Sequence, residues 1–164
     1  MKYVLLGMQY FIEICHDKTL IQEITDCMCR QMDYMTETLG YEEDGKKLIT
    51  KTSNFWLGMN SSSLLEPVVR LYNLTKNEKY LDFARYIVDC GVISTPDVSI
   101  FELAYRNELD PYEYPVTKAY EMMSCFEGLL EFYRVTGEEK WKTAQRVICK
   151  RAIDFYVFDL MNGL

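Results

Sequence analysis

The amino-acid sequence predicts an all-α fold built from repeated helical hairpins. Two segments, Leu64 to Asp89 and Cys125 to Lys150, align without a gap at a separation of 61 residues. Each contains two amphipathic helical patterns around a short polar turn, so one helix–turn–helix unit is used twice. Identical residues occur at Glu66/Glu127, Tyr72/Tyr133, Thr75/Thr136, Glu78/Glu139, Lys79/Lys140, Arg85/Arg146 and Ile87/Ile148.

The first helix of the earlier copy carries a start signal. Ser63 is followed three residues later by Glu66, which predicts a capping box at the helix N-terminus. Pro67 would lie in the first turn, where the missing N–H costs little. The turns that begin at Thr75 and Thr136 end this helix in each copy and start the next one.

A weaker copy precedes these two at an offset near 60 residues. Its first helix is predicted to bury Val4, Met8, Phe11 and Cys15 on one face, and a turn follows at His16. The sequence therefore predicts three hairpins, at about residues 1–38, 62–91 and 117–158, within one helical domain covering residues 1–164. A repeat of about 60 residues is longer than the ~34 to 47 of open helical solenoids, which favours long hairpins of the kind that close into a ring.

Composition excludes several classes of protein. A hydrophobic content of 49% is enough for one core without disulfides or metal. The net charge of −7 argues against a nucleic-acid partner, because phosphate binding needs clustered Lys and Arg. No apolar run is long enough to span a membrane, and no signal peptide is recognisable.

The cysteines and the single histidine give no metal-binding pattern. Cys27 and Cys29 would point to opposite sides of a helix, and no second Cys/His pair follows them. His16 lies in a predicted turn. The six cysteines are interpreted as structural thiols, at positions Cys15, Cys27, Cys29, Cys90, Cys125 and Cys149.

Both ends of the chain are strongly apolar. Residues 1–5 enter a helical pattern without an N-cap, and residues 155–164 have no polar tail. The chain is therefore interpreted as a piece of a larger protein. Its first and last hairpins would then have apolar flanks without neighbours, which predicts self-association of the isolated chain. The run from Phe155 to Met161 is the main expected contact.

Two blocks resemble a known enzyme family. The segments that carry the resemblance are Trp56-Leu-Gly-Met-Asn-Ser-Ser-Ser-Leu-Leu-Glu-Pro-Val-Val-Arg-Leu-Tyr and Lys118-Ala-Tyr-Glu-Met-Met-Ser-Cys-Phe-Glu-Gly-Leu-Leu-Glu-Phe-Tyr-Arg-Val-Thr-Gly. They resemble the beta-L-arabinofuranosidase-like enzymes of glycoside hydrolase family 127 and its relatives, over nearly the whole chain. The resemblance implies that the three hairpins form the N-terminal or central part of an (α/α)6 catalytic toroid, and that the ligand is a carbohydrate.

The resemblance also implies which catalytic parts are missing. The family uses a cysteine nucleophile held with further cysteines and a glutamate around zinc, together with a glutamate acid/base. This chain has no adjacent Cys-Cys pair and no Glu-x-Cys, so no catalytic or metal-binding role is carried over to any residue. Zinc is expected only in a complete parent enzyme, and no cofactor is expected in this chain. Glu66 and Glu127 occupy equivalent repeat positions and are not predicted to be catalytic.

Two segments before inner helices are candidates for sugar binding. Trp56 offers an indole that could stack on a sugar, and Asn60 an amide that could bridge hydroxyl groups. Lys118 and Glu121 are three residues apart on one helical face and are predicted to form an ion pair. The alternative is that Trp56 anchors the core, Asn60 caps locally, and Lys118 and Glu121 are solvated. We expect the four residues to lie on one concave surface.

Three functions are considered for a chain with these patterns, and one is favoured. The leading hypothesis is a fragment of a glycoside hydrolase acting on L-arabinofuranose-containing or related plant glycans, which supplies part of the sugar-binding wall without catalytic residues. The alternative is a non-enzymatic helical-repeat scaffold that binds a protein or peptide. A zinc-dependent cyclase on the same type of toroid would need a Cys/Cys/His ligand set, which His16 in a turn does not complete.

Overall fold

The computed structural model describes the backbone of residues 1–162 and the side chains of residues 1–154. The apolar run 155–161, predicted to make contacts, lies outside the described side chains. Within the described residues the regular structure is helical apart from one isolated bridge between Leu39 and Lys47, so the predicted all-α fold is confirmed. The α-helices are α1 (Lys2–Ile14), α2 (Lys18–Thr38), α3 (Met59–Ser62), α4 (Leu65–Thr75), α5 (Glu78–Asp89), α6 (Ile100–Arg106), α7 (Ala119–Thr136) and α8 (Glu139–Asn162). Short 3-10 helices lie at Glu42–Asp44, Ile49–Lys51, Phe55–Gly58 and Pro111–Glu113.

Three hairpins are formed by α1 with α2, α4 with α5, and α7 with α8. Their second helices begin at Lys18, Glu78 and Glu139, which preserves the spacing of the sequence repeat. The turns are fixed by local capping: the Asp17 carboxylate accepts hydrogen bonds from the Thr19 and Leu20 amides, and the Asn77 side chain accepts one from the Lys79 amide.

Contacts run from α1 to α4 and from α4 to α7, and we call these three helices the inner row; α2, α5 and α8 each pack on the first helix of their own hairpin. In the inner row, Gln9 Nε2 donates a 2.8 Å hydrogen bond to the Pro67 carbonyl. A Cβ atom at Gly128 would lie 2.7 Å from the Cβ atom of Leu65 and 2.7 Å from the amide nitrogen of Glu66. Only glycine at position 128 therefore permits the observed approach of α7 to α4.

The long connections gather at one end of the molecule. Because each hairpin is antiparallel, the N-termini of α1, α4 and α7 lie at the same end as the C-termini of α2, α5 and α8. The two connections contact each other, since the Ser94 amide donates a 2.8 Å hydrogen bond to the Leu57 carbonyl. We call the connections 39–58 and 90–118, with α3 and the first turns of α4 and α7, the rim.

The capping box predicted at Ser63 and Glu66 is wrong. Leu64 is the N-cap of α4, and Ser63 Oγ instead donates a 2.7 Å hydrogen bond to the Asn60 carbonyl. The preceding helix α3 already holds Ser63 in a helical conformation, at φ −61° and ψ −7°, which is not the extended conformation of an N-cap. Glu66 is only 6% exposed and pairs with Lys2 Nζ at 3.4 Å and with Arg70 Nε at 3.2 Å.

The buried face predicted for α1 is also wrong. Val4 is 54% exposed and Phe11 44% exposed, whereas Met8 and Cys15 are half-buried. The buried residues of α1 are Lys2, Leu5, Leu6 and Gln9. The helix is apolar around most of its circumference, so periodicity does not choose a side, and its contact with α4 selects the face that carries Lys2.

The buried pair of Glu66 and Lys2 is expected to stabilise the inner row. Replacing Glu66 with Gln should lower the free energy of unfolding by about 3 kcal/mol, because Lys2, itself 7% exposed, loses its nearest carboxylate. Replacing the equivalent Glu127, whose side chain is 61% exposed, with Gln should cost less than about 1 kcal/mol. Urea unfolding followed by circular dichroism measures both variants, and equal losses would contradict a stabilising role for the buried pair.

Candidate functional site

Trp56 lies on the rim in a strained and well-fixed turn. Trp56 and Leu57 both adopt left-handed backbone conformations, at φ 49° and φ 52°. Gly58 follows at φ 83°, where a Cβ atom would lie 1.9 Å from the Thr50 carbonyl oxygen. The turn is thus pressed against Thr50 and held by the hydrogen bond from Ser94 to Leu57. In this turn the Trp56 indole remains 40% exposed, so Trp56 is not a core anchor.

Lys118 meets this indole from the other candidate segment. Its ammonium nitrogen lies 5.2 Å from the centroid of the Trp56 ring, within the range of a cation–π interaction. Lys118 is the N-cap residue of α7, so the contact joins the connection before α3 to the start of α7. Two of the four predicted residues are therefore in direct contact.

Asn60 lies in α3, and Glu121 lies in the first turn of α7. The two helices touch, since Cys125 Sγ donates a 3.5 Å hydrogen bond to the Met59 carbonyl. Asn60 Oδ1 and Glu121 Oε2 are both shielded from solvent and accept no hydrogen bond from the described residues. The predicted ion pair between Lys118 and Glu121 is absent from the described side chains, because the Lys118 ammonium lies over Trp56 instead.

Sequence reasoning missed a second set of polar residues beside α7. Tyr3 donates a 2.9 Å hydrogen bond to the Tyr120 hydroxyl, and both rings are largely exposed. This hydrogen bond, with a smaller effect of burial, raises the pKa of Tyr3 to about 12. Lys2 reaches from α1 to Glu127 at 3.7 Å. Each pair joins residues more than a hundred positions apart, and no local sequence signal reports such contacts.

The thiol of Cys125, which contacts α3 through the Met59 carbonyl, is not suited to nucleophilic chemistry. Cys125 is buried, and its burial raises the pKa of the thiol well above the usual range, although nearby Lys2 partly opposes the shift. The thiol therefore stays protonated at neutral pH, while the thiolate is the reactive form. For Cys125 this agrees with the prediction of a structural thiol, whereas Cys27 is exposed.

A family zinc site has no matching ligand set in the part of the chain that the structure describes. No three His, Cys, Asp or Glu side chains come together there as potential metal ligands. No catalytic step through a metal is derived for these residues.

A cleft of about 580 Å³ lies next to the Trp56 turn. It is lined by parts of both connections, among them Tyr41, Thr50, Asp89, Ser94 and Arg106. None of the four predicted binding residues lines it. The cleft nevertheless places polar side chains and hydroxyl groups beside the turn that presents the indole.

Comparison with known proteins identifies the type of domain. A family model described as beta-L-arabinofuranosidase, GH127 catalytic domain, matches residues 13–150. No curated protein and no solved structure gave a significant match. Among the described helices, none is long and apolar enough to cross a membrane.

Gly45 and Gly58, the two glycines with positive φ in the connection 39–58, should differ in how much stability is lost when each is replaced by alanine. Gly58→Ala should destabilise the protein more than Gly45→Ala, because Gly45 has φ 73° but no atom near its added Cβ, whereas Gly58 adds a backbone clash. We expect a loss of about 1 kcal/mol for Gly45→Ala from the left-handed backbone alone, and at least about 2 kcal/mol for Gly58→Ala.

Chemical unfolding gives the free energies, and acrylamide quenching of tryptophan fluorescence reports on the indole. Gly58→Ala should change the quenching of Trp56, and Gly45→Ala should leave it unaltered. Equal effects of the two substitutions would mean that contact with Thr50 does not fix the Trp56 turn.

Proposed function

Because the chain belongs to the family of the beta-L-arabinofuranosidase GH127 catalytic domain, we propose that it forms part of the sugar-binding wall of a glycoside hydrolase. The substrates would be L-arabinofuranose-containing or related plant glycans. The proposal assigns the wall to Trp56, Asn60, Lys118 and Glu121, within one helical domain. It is carried by one observation, the half-exposed indole of Trp56 held at the rim by a fixed turn and by Lys118.

An exposed indole suits carbohydrate recognition. A sugar ring presents C–H groups on its faces and hydroxyl groups at its edge, so it can stack on an aromatic ring and still hydrogen-bond sideways. The left-handed backbone at Trp56 and Leu57 is unusual for residues other than glycine. Backbone strain of this kind is concentrated at functional sites, where the surrounding structure maintains it.

Lys118 has two roles in this proposal. Its ammonium group restricts the orientation of the indole through the contact at 5.2 Å, and it remains a hydrogen-bond donor for a sugar oxygen. A ring that is already oriented loses little freedom when a ligand stacks on it, which favours binding.

Asn60 and Glu121 would supply acceptors. Each has a side-chain oxygen without a donor among the described residues, and a buried acceptor without a partner is costly. A sugar hydroxyl is a suitable donor for either oxygen.

The proposed role is binding and not bond cleavage. Glycoside hydrolysis requires an acid opposite a nucleophile or base at a defined separation. The buried carboxylate of Glu66 is committed to Lys2 and Arg70. The Cys125 thiol is held in its protonated form by burial.

Binding can be tested with methyl beta-L-arabinofuranoside and tryptophan emission. The chain contains two tryptophans, and Trp141 is buried against Phe101. In a Trp141→Phe variant, Trp56 is the only tryptophan, so its emission should change on titration with a dissociation constant of about 1 mM or below. In a Trp56→Phe variant the remaining Trp141 should show no change.

Ligand-observed NMR does not depend on tryptophan emission, so it measures binding even in a variant that lacks Trp56. Trp56→Ala should weaken binding at least tenfold, and Tyr34→Ala, which removes an exposed aromatic ring from α2, should leave it unchanged. Equal affinity of the wild type and the Trp56→Ala variant would refute the assignment of Trp56.

The chain alone should not hydrolyse aryl arabinofuranosides, because it would provide only binding residues. Release of the aryl chromophore by purified protein should match that of a heat-denatured sample. Turnover by the purified chain that a single Glu→Gln substitution abolishes would contradict a purely binding role.

A further inference from the structure

Ser62 makes a hydrogen bond that links α3 to the connection 90–118. Its Oγ atom donates to the Val92 carbonyl oxygen at 2.9 Å, across 30 positions of the chain. Both residues are completely inaccessible to solvent. The neighbouring Ser63 behaves differently, because its Oγ donates to the Asn60 carbonyl three residues back. Such a local bond is the usual one for a serine in a helix, so the bond from Ser62 marks a specific contact between two elements.

Val92 has a backbone conformation that is costly for its type of side chain. Its φ angle is 79°, and valine is branched at Cβ. A positive φ in a β-branched residue is an outlier, which persists only where the surrounding structure maintains it. Burial of the Val92 side chain contributes to this. The Ser62 hydroxyl contributes directly, because it holds the Val92 carbonyl.

The residue before Val92 is held independently. Gly91 has φ 73°, and a Cβ atom there would lie 2.9 Å from the Val98 carbonyl oxygen. The Gly91 carbonyl accepts a 3.1 Å hydrogen bond from the Ile100 amide at the start of α6. With Gly91 fixed against α6, the conformation of Val92 determines the direction in which the chain continues.

Two residues after Val92, the same connection contacts the Trp56 turn. The Ser94 amide donates a 2.8 Å hydrogen bond to the Leu57 carbonyl. Leu57 and Trp56 are themselves left-handed, at φ 52° and φ 49°. Strained backbone therefore lies on both sides of this hydrogen bond. The direction of the Ser94 amide depends on the path that the chain takes at Val92.

The hydrogen bond from Ser62 and the strain at Val92 are comparable in energy. A left-handed conformation at a residue other than glycine costs about as much as leaving a buried carbonyl without its donor. Without the Ser62 hydroxyl, the Val92 carbonyl would lose this donor while remaining buried. A change of Val92 to negative φ would relieve both costs. It would also move the Ser94 amide away from the Leu57 carbonyl.

We propose that Ser62 is a positioning residue for the Trp56 indole. The Ser62 hydroxyl keeps Val92 left-handed. Val92 in turn presents the Ser94 amide to the Leu57 carbonyl, and this bond keeps the indole turn in place. Ser62 is fully buried, so it acts through these residues and not by touching a ligand. Its effect on binding rests on the proposed function, in which a sugar stacks on the indole.

Loss of the Ser62 hydroxyl should lower the fraction of molecules that present the indole correctly. When a ligand binds only one conformation, its apparent dissociation constant is the intrinsic constant divided by the fraction in that conformation. We expect this fraction to fall to about one fifth in Ser62→Ala, so affinity for methyl beta-L-arabinofuranoside should weaken about fivefold.

Ser62→Ala and Ser63→Ala form a matched pair, since each removes a buried hydroxyl that donates one hydrogen bond. In a Trp141→Phe background, acrylamide quenching reports on Trp56 alone. Ser62→Ala should raise the quenching constant about twofold, because the indole is only 40% exposed in the fixed turn. It should also weaken sugar binding, whereas Ser63→Ala should change neither quantity. Equal effects of the two variants, or no effect of Ser62→Ala, would overturn the proposal.

The path through Ser94 has its own test. Ser94→Pro removes the amide donor, whereas Ser94→Ala removes only the hydroxyl of an exposed residue. Ser94→Pro should raise the quenching of Trp56 as Ser62→Ala does, and Ser94→Ala should leave it unaltered. The double variant of Ser62→Ala and Ser94→Pro should show no further increase, because both changes break one path. Additive effects would show that Ser62 acts through α3 instead, which contradicts the proposed path.

Ser62→Cys tests the hydrogen bond without leaving a cavity, also in the event that Ser62→Ala does not fold. A thiol is a weaker donor than a hydroxyl, so quenching should lie between those of the wild type and of a protein without the bond. Circular dichroism should show unchanged helix content. Quenching and affinity equal to those of the wild type would count against Ser62.

Sugar binding by the wild type separates this inference from the proposed function. A wild type that does not bind methyl beta-L-arabinofuranoside would refute the proposed function, and with it the effect of Ser62 on binding. A wild type whose binding depends on Trp56, with equal affinity in Ser62→Ala, would refute the role of Ser62 alone. Quenching requires no sugar, so in either case it decides whether Ser62 positions the indole.

Discussion

The close approach of α7 to α4 at Gly128 determines how the rest of the molecule is arranged. A side chain at this position would collide with Leu65 and with the backbone of Glu66. Without that collision the two helices interlock, and Cys125, Leu129 and Phe132 are buried along the contact. The hairpins then stack at a fixed spacing, so their N-terminal ends and both long connections meet at the rim.

The same contact explains the buried charges. Glu66 lies at the point where α4 meets both neighbours, and it is nearly inaccessible to solvent. An ionised carboxylate at such a place requires nearby cations, which Lys2 of α1 and Arg70 of its own helix provide. The equivalent Glu127 stays exposed because α7 has no following hairpin among the described residues. Equivalent residues therefore differ in role because their hairpins differ in neighbours.

Membership of the GH127 catalytic-domain family and the geometry of the rim both support the proposal of a sugar-binding wall. The family acts on sugars through a helical catalytic domain, and the described hairpins provide an indole at 40% exposure together with a cation over its ring. They offer no activated thiol at Cys125 and no metal-ligand cluster within the described residues. The proposed role in sugar binding rests on this indole and the cation over its ring.

The sequence by itself determined the three hairpins, their turns and the family, but it did not predict the short helix α6. Helical periodicity and the polar turns at His16, Thr75 and Thr136 involve only a few neighbouring residues, so they can be recognised without a structure. The repeat likewise established the hairpins, and the resemblance at residues 56–72 and 118–137 pointed to the family that the comparison then identified.

Only the tertiary structure decided which face of α1 is buried, what Glu66 pairs with, and where Trp56 points. These properties depend on contacts between residues far apart in the chain: Lys2 with Glu66, Lys118 with Trp56, and Ser94 with Leu57. Lys118 could have paired with Glu121 three residues away, as local spacing predicted, but the indole brought by another connection lies within reach of its ammonium group. Local patterns specify which helices form, whereas the neighbours of each side chain are set by how the hairpins pack.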